Sequence, residues 1–157
     1  MLTETQRQLL AELQQEVQSH GLQSGEIILE LSEVAGSRYA VEPLLVAFFS
    51  QQAIRIFPEG SAVSEITYQQ AVASMKYGLS SKINYTRINR EFSPSDQNRI
   101  VHSFLRLFDK PRFYSTSARI YRANLDLEDF WESGGAIVID EHAIGILWEN
   151  DLYAKFR

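Results

Sequence analysis

Apolar and polar positions divide this chain into stretches of clearly different period. Leu2, Leu9, Leu10, Leu13 and Val17 fall on one narrow stripe of an otherwise Gln- and Glu-rich segment, which predicts an amphipathic helix. Thr3 and Gln6 have capping-box spacing and Gly21 is a natural stop, so the helix should run from about residue 4 to residue 20. A stripe this narrow suits peripheral packing on the body of the fold, or a helix at a dimer contact. Glu26-Ile-Ile-Leu-Glu-Leu-Ser reads as a strand over 26–32. Pro43 then opens Leu44-Leu-Val-Ala-Phe-Phe, apolar all round, which suits a buried helix over 42–51. Periodicity alone does not separate that helix from a buried strand.

Ala53-Ile-Arg-Ile-Phe alternates like a half-buried strand, and Pro58-Glu-Gly ends it. Ser64 is placed to cap a helix over 65–77, closed by Gly78. The stretch 80–92 alternates in part and fits an edge strand or an extended loop. Ser93, Pro94 and Asp96 together mark the start of the clearest helix, 94–109, with Ile100, Val101, Phe104, Leu105, Leu107 and Phe108 on one broad face. Pro111 ends it. Residues 112–122 are polar and aromatic, either extended or a loop, and a short helix is predicted over 125–132, broken by Ser133-Gly-Gly. Ala136-Ile-Val-Ile-Asp and Ala143-Ile-Gly-Ile-Leu-Trp-Glu are apolar on both faces. They predict an antiparallel hairpin in the middle of a sheet, with Asp140 joining Glu141 and His142 in its turn. Residues 150–157 read as a turn or a short helical tail.

The order of these elements favours α+β over a regular βαβ array. The expectation is one domain over 1–157, a small, mainly antiparallel sheet with a C-terminal β-hairpin, covered by three to four helices. A length of 157 residues with 45% apolar content suits one sizeable core. The chain has no cysteine, which excludes disulfides, thiolate catalysis and cysteine-bound metal centres. No apolar run approaches the roughly 20 residues of a membrane span, and the start Met1-Leu-Thr-Glu-Thr-Gln has no signal-peptide character. A cytoplasmic protein without a cofactor is expected.

Charge is distributed unevenly. Between Lys76 and Arg122 ten basic residues face three acids, a local +7, whereas each flank sums to −6. Within that stretch Arg99, His102, Arg106 and Lys110 share one side of the 94–109 helix, and Lys82, Arg87 and Arg90 precede it. Cations at this spacing can follow a phosphate chain or meet an acidic protein surface. The ordinary alternatives are a solvated helix face or pairing with the chain's own acids. The leading expectation is a non-enzymatic interaction or regulatory module for an anionic macromolecule, nucleic acid or acidic protein. Arg119 and Arg122 beside Ser115, Thr116 and Ser117 offer phosphate-holding chemistry. With Asp140 or His142 as acid, base or metal ligand they define the runner-up, an enzyme for a phosphate-bearing substrate. They lack the glycines of a P-loop, and no G-x-S-x-G marks a nucleophile. A third expectation is a homodimer whose charge pattern serves its own assembly.

Overall fold

The computed structural model describes residues 2–20, 25–34, 40–80, 92–122 and 130–152. In chain order the first elements are α1 (Glu4–His20), β1 (Gly25–Glu33), α2 (Val41–Gln52), β2 (Ile54–Phe57), β3 (Ser64–Ile66) and α3 (Tyr68–Leu79). They are followed by α4 (Pro94–Leu105), β4 (Arg112–Ser115), β5 (Arg119–Arg122), β6 (Phe130–Ile139) and β7 (Ala143–Leu152). The arrangement is α+β. A five-stranded antiparallel sheet has the order β1-β7-β6-β4-β3, and β2 and β5 form a separate antiparallel ribbon.

The C-terminal hairpin β6–β7 lies inside the large sheet, as its two-sided apolar pattern predicts. Ile137, Ile144, Ile146 and Trp148 belong to one buried cluster, Ala136, Val138 and Leu147 to another, because successive strand residues point to opposite faces. On the second of these faces lie Leu13 and Val17 of α1, Ala71, Met75 and Leu79 of α3, and Ile100, Val101 and Phe104 of α4. The first is covered by Leu45, Phe48 and Phe49 of α2 and by Ile54 and Ile120 of the ribbon. Burial of this kind is worth about 1.5–3 kcal/mol per large apolar side chain. It holds the layers together.

Two glycines permit the closest approaches. The edge-to-face pair Phe104–Phe108, with ring centroids 5.4 Å apart, sits over Gly145, where a Cβ would lie 2.8 Å from the Phe108 ring. Gly135 has φ +155° and a Cβ there would lie 2.1 Å from the Leu147 carbonyl oxygen on the neighbouring strand. Ser133-Gly-Gly therefore does not break a helix; it runs within β6.

Several local features depart from the sequence pattern. The helix expected from residue 65 begins at Tyr68, and its cap is Thr67 in a capping box with Gln70. Ser64 instead opens β3, opposite Ser115. Helix α4 stops at Leu105 rather than 109, and the turns that follow let Leu107 and Phe108 both reach the core. Phe130–Glu132, expected to end a helix, belong to β6, and Asn150–Leu152 extend β7 instead of turning; residues 125–129 lie outside the described part. Segment 42–51 is helical but not buried all round, since Val46 is 70% exposed. Of the 80–92 stretch, residues 81–91 lie outside the described part.

Gly135→Ala is expected to destabilise the protein by about 3 kcal/mol or more, because the clash is with backbone that cannot rotate away. A urea titration should show a lower midpoint at unchanged slope.

Candidate functional site

Among the described residues the basic side chains do not form one surface. Arg99 donates from both terminal nitrogens to the Glu16 carboxylate on α1 and from Nη2 to Asp96. These partners belong to the same fold, so Arg99 joins α4 to α1. Arg106 and Lys110 are exposed, and His102 is half-buried. Arg119 is half-buried on β5, opposite Phe57. Lys82, Arg87 and Arg90 lie outside the described residues. Of the nine cations expected to meet an anion, Arg99 and Arg122 are held by acids of their own chain.

Arg122 ends β5 and reaches the large sheet. Its Nη2 donates to Glu30 at 2.9 Å and its Nε lies 3.6 Å from Glu26 Oε1. Glu26 and Glu30 both stand on the α2 side of β1, two residues to either side of Ile28. Directly across from Glu26 on β7 is Asn150, fully buried. Its Nδ2 donates to Glu26 Oε2 at 2.9 Å and to the Ile120 carbonyl of β5 at 2.7 Å. Burial pushes the Glu26 carboxyl above its ordinary range, and the Asn150 hydrogen bond, the Arg122 charge and the Arg122 backbone N–H only partly offset that. This polar cluster fastens the ribbon to the end of the sheet. The sequence did not single out Glu26, nor its pairing with Asn150. The only signal was polar residues at alternate, inward positions of apolar strands.

The expected phosphate-holding groups are dispersed. Ser115 Oγ donates to the Gly135 carbonyl and Thr116 Oγ1 to the Ala62 carbonyl, while Ser117 is exposed. Asp140 Oδ1 accepts from the His142 and Ala143 backbone N–H groups, and its Oδ2 accepts from the Asp109 N–H. That carboxylate shapes the hairpin turn and the turn that follows α4. Ile120, next to Arg119, meets Asn150. His142 is at the other end of β7, roughly 25 Å away at strand spacing. Arg119 is therefore not gathered with Asp140 or His142 into one site. Among the described residues no group of three or more His, Asp or Glu side chains is placed to hold a metal ion. None of their helices is long and apolar enough to cross a membrane.

A concave feature lies elsewhere, between α2, strand β2 and the turn at 58–63. This cleft encloses about 800 Å³, within the usual range for ligand sites. Leu45, Phe49 and Ile54 are its buried apolar lining. Val46 and Phe57, 70% and 49% exposed, stand at its sides, and Tyr121 joins them from β5. Glu42, Arg55 and Glu59 add a mixed-charge rim. Local chemistry shapes the walls. Ala53 takes a left-handed conformation (φ 56°) and caps α2 through its N–H to the Phe49 and Ser50 carbonyls, which turns the chain straight into β2. Beyond the cis Phe57–Pro58 bond, Gly60 with φ 80° and the Ser61 N–H bond to the Pro58 carbonyl fold the far wall back.

Replacing Asp140 by Ala should destabilise the fold by roughly 1–3 kcal/mol, because three backbone N–H groups lose their acceptor. Chemical denaturation of the variant checks this, and a purely catalytic carboxylate would leave stability unchanged. Comparison with protein families, with curated proteins and with solved structures finds no match to this chain.

Proposed function

We propose that the protein is a non-enzymatic interaction module and that it receives an apolar or amphipathic partner in the cleft beside α2. One observation carries this: Val46 and Phe57 are large apolar side chains left exposed in the lining of the same concavity. Single exposed apolar residues are ordinary, but two that flank a preformed apolar cleft mark an interaction site. The rigid aromatic and aliphatic lining would supply affinity, and Glu42, Arg55 and Glu59 would orient the occupant.

A second possibility, contact with an anionic macromolecule, is supported by Arg106, Lys110 and Arg112. All three are exposed around the end of α4. Against it, Asp109 and Glu141 are also exposed nearby, and Asp140 bonds the Asp109 N–H, so the local field is mixed. The first reading is favoured.

The apolar fluorophore 1-anilinonaphthalene-8-sulfonate is expected to bind the native protein. Val46→Asp and Phe57→Ser should each weaken that binding at least about tenfold without lowering the unfolding midpoint. Binding unaffected by either change, or none at all, would sink the cleft reading. If sedimentation shows a dimer that Val46→Asp dissociates, the occupant is a second copy. Heparin retention that falls steeply with salt, and that is lost in Arg106→Glu/Lys110→Glu, would move the site to the end of α4.

A further inference from the structure

We infer that Glu26 and Asn150 form a proton-binding site: one proton on Glu26 Oε1 is donated to Asn150 Oδ1, closing a carboxylic acid–amide pair across β1 and β7. The hydrogen-bond inventory leads there. Asn150 uses both protons of its Nδ2, one to Glu26 Oε2 and one to the Ile120 carbonyl. Two acceptors on that side fix the amide, since the flipped form would set Oδ1 against both oxygens. Two buried acceptors, Glu26 Oε1 and Asn150 Oδ1, then have no hydrogen bond of ordinary length, although Arg122 holds its Nε 3.6 Å from Oε1 and turns its backbone N–H to the same carboxyl. Buried acceptors are almost always satisfied. These two are the atoms that an acid–amide pair joins once the acid carries its proton: N–H to one carboxyl oxygen, O–H to the amide oxygen. A single proton therefore satisfies both.

Charge balance points the same way. Among the described residues, the charged groups around Glu26 are Arg122 from β5 and, on its own strand, Glu30; β7 presents the uncharged Asn150. One guanidinium faces two carboxylates, and it hydrogen-bonds Glu30, the nearer. With both acids ionised the largely buried cluster carries a surplus negative charge, whose desolvation is costly. Protonating Glu26 brings the cluster to neutrality. Its side chain is only 11% exposed, against 20% for Glu30 and 29% for Arg122.

Linkage follows from the direction of the shift. A carboxyl held above its ordinary range binds a proton more tightly in the folded chain than in the unfolded one. Its stabilisation is complete at pH below the ordinary glutamate value and is lost as pH rises through the folded value. The cluster ties β5 to the sheet, and β5 pairs with β2, which lines the cleft. Ionisation of Glu26 thus loosens one wall of that cleft, a consequence that rests on the function proposed above, whereas the proton site does not.

The test is a carbon-13 NMR titration of the Glu26 carboxyl in the intact protein. A midpoint above the ordinary glutamate value of about 4.3 is expected, and an ordinary or lower midpoint overturns the site. Glu26→Gln supplies an amide N–H where the acid O–H stands. Its stability is expected to match wild type at low pH and to lack the decline that wild type shows as pH rises. A variant that keeps the wild-type pH slope also overturns it. Fluorophore binding at the cleft over the same range reads the coupling: it weakens in wild type as Glu26 ionises and stays flat in Glu26→Gln. A flat wild-type curve beside a raised midpoint removes the coupling and keeps the proton site.

Discussion

The hairpin β6–β7 is apolar on both faces, and nearly everything else in the fold answers that demand. Trp148 and Leu147 are neighbours in sequence yet point into different cores. A central pair of this kind is stable only between two covering layers. Helices α1, α3 and α4 form one layer, and α2 with the β2–β5 ribbon forms the other. Close packing requires Gly135 and Gly145 where backbone or aromatic rings come nearest. The order of elements along the chain is secondary to this enclosure.

The two layers are not equal. Three helices cover one face, whereas the other has one helix and a two-stranded ribbon. On the thinner side the cover stops short, and its apolar residues continue to the surface at Val46 and Phe57. The cleft is the outcome. At the end of the same side the apolar cover gives way to Glu26, Glu30, Arg122 and Asn150, a polar cluster enclosed by strands. Both features of functional interest therefore come from the same shortage of apolar cover. A polar group in such a place must find a partner or a proton.

Elements defined by short-range rules were legible from residues alone. The capping pairs Thr3–Gln6 and Ser93–Asp96 form the bonds that their spacing implies. The hairpin turn includes Asp140 as expected, since Glu-His is poor chemistry for a two-residue turn, and its carboxylate accepts from the His142 and Ala143 N–H groups. Misjudged boundaries share a cause: a tertiary partner outweighed a local signal. Ser64 has good capping chemistry, but Ser115 on the neighbouring strand takes it into a ladder. Leu107 and Phe108 fit the helical stripe of α4, yet leaving the helix buries both.

The basic stretch from Lys76 to Arg122 shows where sequence ends and structure begins. Sequence by itself determined that this stretch is positive, that its flanks are negative, and that α4 presents cations opposite its apolar face. It determined equally that a two-sided apolar hairpin lies near the C-terminus. Which cation meets which acid was decided only by folding, since Arg99 and Glu16 are 83 residues apart and Arg122 and Glu30 are 92. Charge along a chain is a one-dimensional quantity, whereas pairing and burial depend on three-dimensional distance. For the same reason no pattern in the chain announced the cleft or the Glu26–Asn150 pair. The pair exists only where strands remote in sequence meet, and the cleft, lined by residues 42–63, is completed by Tyr121 of β5.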